Sequence, residues 1–148
     1  MDDFIKWVSI TARQTALHMD RELAPYGLNA SQYMYVVEVC THPGLTQDRF
    51  FQIFYVNPSN VTRALVALEK QGLLERRSNS KNRRTFCIYP TQKALDIFPK
   101  ITRLRRLWQE RMLADLAPDT RAEVEQALRT AALRAVESNR EEDPDHAE

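Results

Sequence analysis

Residues 58–74 read PSNVTRALVALEKQGLL, and residues 81–91 read KNRRTFCIYPT. In the first stretch Val61, Ala64, Leu65 and Leu68 recur at helical spacing and make one apolar stripe. Asn57 stands where an N-cap is wanted and Pro58 suits the first helical position. Gly72 follows the last periodic residue, as a glycine after a helix should. Ser59, Asn60, Thr62, Arg63 and Lys70 fall outside the stripe. Beyond Gly72 the period changes: LLERR (73–77) and TFCIY (85–89) read as two short strands joined by the polar turn SNSKNR (78–83). A short helix with small polar residues at its tip, followed by an arginine-tipped hairpin, is the second helix of a helix-turn-helix with a wing.

Upstream, Thr46 is placed to cap a helix in TQDRFFQIFYV (46–56), and Ser31 to cap another in SQYMYVVEVC (31–40), which ends at His42-Pro43-Gly44. Residues 3–23 carry Phe4, Trp7, Val8, Thr11, Thr15 and Leu17 at roughly helical spacing, with no breaker before Pro25. Downstream, Thr91 caps a long helix reaching about Leu113, with Leu95, Phe98, Ile101, Leu104 and Trp108 as its apolar positions. Pro118 opens a last helix to about Val136, with Val124, Leu128, Ala131 and Leu133 inward. Residues 139–148, NREEDPDHAE, have no strongly apolar residue and are expected to be disordered. The fold class is therefore mainly α with a small β-hairpin wing.

A chain of 148 residues with 43% hydrophobic and 28% charged residues suits one globular unit with a real core. No apolar run approaches the ~20 residues of a membrane span. The opening MDDFIKW is acidic and aromatic, unlike a signal peptide, and two cysteines suit a reducing compartment; the expectation is a cytoplasmic protein with no membrane partner. The net charge of +1 hides an asymmetry. Residues 58–106 hold 12 Lys and Arg against 3 Asp and Glu, whereas residues 115–148 hold 4 against 10. A basic middle with an acidic end is what one region facing a polyanion produces. No acid pair, triad, phosphate loop or metal cluster is visible, so neither catalysis nor a cofactor is expected.

From Leu28 to about Leu95 the chain resembles the MarR family of transcriptional regulators. The pieces are LNASQYMYVVEVCTHPGLTQ (28–47), NPSNVTRALVALEKQGLLERR (57–77) and SKNRRTFCIYPTQKAL (80–95). The resemblance implies a homodimer in which the N-terminal and the two C-terminal helices intertwine while the winged units read a pseudo-palindromic duplex. It divides the chain into an N-terminal dimerisation helix (1–28), a DNA-binding unit (29–92), C-terminal dimerisation helices (93–138) and an acidic tail (139–148). The residues agree, since neither the 3–23 helix nor the last two can bury an apolar side on the small winged unit alone. This chain departs from the family pattern at Phe51, Tyr55, Asn82 and Pro90. Tyr55 stands where glycine is usual and implies a strained or reshaped turn. Asn82 replaces the aspartate of a "DRR" motif and removes a carboxylate that could fix an arginine.

The candidate DNA-binding residues are Pro58, Ser59, Asn60, Thr62, Arg63, Lys70, Lys81, Arg83 and Arg84. Backbone N–H groups at the tip near Ser59 and Asn60 would favour an anion. Asn60 suits adenine and Arg63 guanine, each worth roughly 1–3 kcal/mol of discrimination; a plain capping or solvent role for Asn60 and an intrahelical salt bridge for Arg63 are the alternatives. Thr62 and Lys70 suit phosphates. Lys81, Arg83 and Arg84 suit a narrow minor groove, and Arg84 could instead hold the wing to the body. RLRR (103–106) reads as a solvated face. Cys40 reads as a buried thiol rather than a nucleophile, and Cys87 as packing. The resemblance also implies a small aromatic or phenolic effector, for which Trp7, Thr11, Arg13, Tyr33, Val37 and Trp108 are candidates, with Arg13 or His18 available to an anion. The competing reading is a winged-helix protein-interaction module without sequence-specific DNA readout.

Overall fold

A computed structural model describes residues 3–142 of the chain. Helix α1 spans Phe4–Leu23, followed by a single 3-10 turn at Ala24–Tyr26. Helix α2 spans Tyr33–Thr41, strand β1 Leu45–Thr46, helix α3 Gln47–Phe54 and helix α4 Pro58–Lys70. Strands β2 (Leu74–Ser78) and β3 (Phe86–Pro90) form the wing, and helices α5 (Gln92–Met112) and α6 (Pro118–Glu142) complete the chain. The sheet is antiparallel in the order β1-β3-β2, with Leu45 opposite Ile88 and Arg76 also opposite Ile88. The chain divides into two compact units, residues 1–108 and 109–148.

The first unit is built around one core. Met19 and Leu23 of α1, Val36 and Val39 of α2, Phe50 of α3 and Val61, Leu65 and Leu68 of α4 are buried with Leu73, Ile88 and Ile101. Burying each such side chain stabilises by about 1.5–3 kcal/mol. Tyr35, Phe50 and Phe54 pack as an aromatic trio with centroids 5.0–6.0 Å apart. Phe51 joins the edge of this core, half-buried. Tyr55 does take the left-handed conformation (φ 53°, ψ 41°) as the C-cap of α3, and its N–H donates to the Phe51 carbonyl. A strained non-glycine residue thus makes the turn glycine would make, and α4 follows in register.

Several local expectations change. Ser31 does not cap α2: its hydroxyl and N–H both donate to Asn29 Oδ1, and the helix begins two residues later. Thr46 occupies the N-cap of α3 but its side chain accepts nothing there. The two-residue strand β1 has no counterpart in the sequence reading. It is held by Gly44, whose N–H donates to Ile88 O at 2.8 Å and whose φ is +87°. In α5 the buried positions are Ala94, Ile97 and Ile101, and Leu95 faces outward. Thr91 caps this helix as expected, accepting from the Ala94 N–H, and Pro99 lies inside it. Pro90 ends the central strand opposite Leu74, where the ladder stops, so the missing N–H breaks no interior pairing.

The second unit is mostly α6, which runs to Glu142, six residues past the expected end. Residues 139–142 of the acidic tail are therefore helical, and residues 143–148 lie outside the described residues. Val124, Leu128 and Leu133, expected inward, are exposed within this chain, and Ala131 is half-buried. The reason is that α6 buries no residue against its own chain. No described helix is long and apolar enough to cross a membrane.

Candidate nucleic-acid interface

The tip of α4 is organised by Asn57. Its Oδ1 accepts from the Ser59 N–H (2.9 Å) and the Ser59 hydroxyl (2.7 Å), and its carbonyl accepts from the Asn60 N–H (2.9 Å). Pro58 has no N–H. The tip therefore caps itself, and the anion site expected from its backbone donors is closed. What the tip offers outward is side chains. Asn60, Thr62 and Arg63 are exposed, while Val61, Leu65 and Leu68 of the same helix are buried.

These outward side chains are not independent. Arg63 donates from its guanidinium to Asn60 Oδ1, one turn back on the helix. Thr62 Oγ1 donates to the Pro58 carbonyl (3.1 Å) and accepts from Gln47 Nε2 (3.0 Å). Through these two bonds Thr62 ties α4 to the start of α3. Gln47, half-buried at the first position of α3, is the polar group beside α4 at this point. The sequence reading passed it over because a lateral bond between helices leaves no periodic trace. Lys70 lies seven residues beyond Arg63 on the same stripe, about 10 Å further along the axis.

The wing is tied to α4 by Arg76, which donates to Glu69 and lies with its guanidinium carbon 5.2 Å from the Phe86 ring centre. That anchoring role, which Arg84 could have played, falls to Arg76. Arg77 pairs with Glu75 (3.0 Å) and stacks over Tyr89 at 4.1 Å. Lys81, Arg83 and Arg84 are exposed at the wing tip, and none pairs with an acidic side chain among the described residues. The Arg84 N–H donates to Asn82 Oδ1 (3.1 Å), so the residue that lacks the expected carboxylate still shapes the turn. Two of the three acids in the basic region, Glu69 and Glu75, are thus already neutralised by strand arginines.

The candidate effector residues lie elsewhere. Trp7 is exposed near the start of α1, and Thr11 donates its hydroxyl to the Trp7 carbonyl. Arg13 is exposed on the same helix. Tyr33 and Val37 are half-buried on α2 against the core. Trp108 is half-buried, stacks on buried His18 at 4.1 Å and donates Nε1–H to Thr15 (3.0 Å). Burial pushes the Tyr33 hydroxyl pKa up, and Arg105, lying over its ring, partly opposes this. Arg105 of RLRR is therefore a packing residue as well as a surface charge. The Cys40 thiol is pushed by burial up to about 11, so it stays protonated at neutral pH and is a poor nucleophile. No group of three or more potential metal ligands gathers among the described residues.

Comparison with known proteins follows the same lines. A model of the MarR family matches residues 28–86. The chain is 26% identical over 103 residues to the "Uncharacterized HTH-type transcriptional regulator YybA" of Bacillus subtilis (strain 168), covering 70% of this chain and 69% of that protein. The solved structure of MarR superposes with a TM-score of 0.80 at 27% identity, covering 95% of this chain and 98% of the other. A protein from Listeria monocytogenes described as a MarR family transcriptional regulator, solved with a 26mer DNA, gives a TM-score of 0.80 at 26% identity over 97% of this chain and 92% of its own. With motif, winged fold and relatives in agreement, residues 28–86 match the MarR family and the chain is similar to its winged-helix transcriptional regulators, which are not enzymes.

Proposed function

We propose that the chain is a homodimeric, sequence-specific DNA-binding repressor that a small molecule releases from its operator. In this reading α4 enters the major groove, with Asn60 and Arg63 at base edges, Pro58 and Ser59 forming the approach, and Lys70 on the backbone. The wing lays Lys81, Arg83 and Arg84 along the adjacent minor groove. The observation that carries this most is the set of wing cations without acidic partners beside an outward-facing polar stripe on a self-capped helix. An interaction module has no need of either. The DNA complex of the similar Listeria monocytogenes protein supports it.

The dimer rests on apolar faces the chain leaves in water. On α1, Phe4, Trp7 and Leu17 are 58%, 51% and 60% exposed, and on α6 Leu128 is 51% exposed. In this reading a second copy covers such faces, with residues 1–28 and 93–138 serving dimerisation and 29–92 DNA binding. The effector, an aromatic or phenolic molecule, would meet Trp7, Thr11, Arg13, Tyr33, Val37 and Trp108, and its binding would shift the dimer toward a spacing that misses the operator. The working compartment is the one that holds the DNA, the cytoplasm.

Selection of binding sites from random duplexes by the purified full chain tests this. Enrichment of an inverted repeat with half-sites about one helical turn apart supports it. A pool no different from the input after selection at low salt would overturn it.

A further inference from the structure

The wing tip is built from a repeated unit. Asn79-Ser80-Lys81 and Asn82-Arg83-Arg84 each place an asparagine two residues before a cation. In both, the asparagine Oδ1 accepts the backbone N–H of that cation, at 3.0 Å from Lys81 and 3.1 Å from Arg84. Asn82 also accepts the Thr85 N–H on its carbonyl (3.2 Å), so Arg83 and Arg84 are the two central residues of a β-turn. The Thr85 carbonyl accepts the Asn79 N–H (3.3 Å), closing the loop onto the last strand pair, Ser78 opposite Phe86. Residues 80–84 are all exposed. Their conformation is therefore set by these side-chain-to-backbone bonds, not by packing. The bonds also fix each amide's orientation, because only the oxygen can meet an N–H.

An aspartate in either position would make the same turn, since both residue types bond their own backbone two residues on. The difference is charge. A carboxylate would give Lys81, Arg83 and Arg84 a counter-ion within the wing, and residues 78–85 contain none. Resting on the DNA reading above, we propose that Asn79 and Asn82 are positioning residues of the wing. They fix the backbone so that the three cations project, and as amides they leave the full positive charge for DNA phosphates.

The test compares full-length wild type, Asn82→Asp, Asn82→Ala and Asn79→Asp. Affinity for the selected duplex is measured across a salt series, and amide exchange of Lys81 and Arg84 is followed by NMR in the free protein. Asn82→Asp should keep the slow Arg84 exchange yet bind on the order of tenfold more weakly, with a salt slope lower by about 0.9, the loss of one phosphate contact. Asn79→Asp should behave alike, with Lys81 as the protected amide. Asn82→Ala should expose the Arg84 amide to faster exchange. An Asn82→Asp protein that matches wild type in affinity and slope overturns the proposal alone, as does an Asn82→Ala protein with unchanged exchange. A wild type that binds no duplex overturns the DNA reading together with it, and so the two failures are distinguishable.

Discussion

Asn60 and Arg63 illustrate how a local bond changes the meaning of two side chains. Read separately, each is a candidate for one base; bonded to each other, they are proposed to act as one unit. Arg63→Ala should cost about 1–3 kcal/mol on the preferred duplex and relax base preference. Asn60→Ala should cost a similar amount, and the double variant should lose clearly less than the sum of the two, because each single change already breaks the shared geometry. Arg84→Ala should instead weaken binding to all duplexes alike and flatten the salt dependence. Fluorescence anisotropy on matched and mismatched duplexes separates these cases. Additive losses for Asn60 and Arg63 would show that they act independently. Capping residues were legible at this scale: Asn57, Gly72 and Thr91 each sit where helix-end chemistry put them. The bond between Gln47 and Thr62 was not, because it joins two helices.

Among the elements, the helices and the wing hairpin were legible because each carries its own period and punctuation. The two-residue strand β1 was not, since two residues cannot show alternation and what defines it is β3. Its position depends on Gly44, where a Cβ would stand 3.2 Å from the Tyr89 hydroxyl and where φ is +87°. Gly44→Ala should therefore lower stability by about 1–3 kcal/mol, through backbone strain and displacement of Tyr89. The urea midpoint reports it, and an unchanged midpoint would show that the turn relaxes freely. The inward face assigned to α6 failed for a different reason. Val124, Leu128 and Leu133 follow a helical period, but a period tells which side is apolar and not which chain covers it.

For the whole molecule, the basic stretch from 58 to 106 lies in the first unit, with α4, the wing and most of α5, and the acidic stretch from 115 to 142 lies in the second, with α6. The departures Phe51, Tyr55 and Asn82 are absorbed, by a half-buried site, a left-handed cap and an uncharged turn respectively. The central claim is that two copies bind one duplex together. Binding to the selected inverted repeat should be compared with binding to the same sequence carrying about five extra base pairs between its half-sites, which turns one half-site to the opposite side of the helix. The account predicts an affinity loss of at least about a hundredfold, as simultaneous engagement is no longer possible. Equal affinity for both duplexes would contradict it and leave a chain that binds DNA one winged unit at a time.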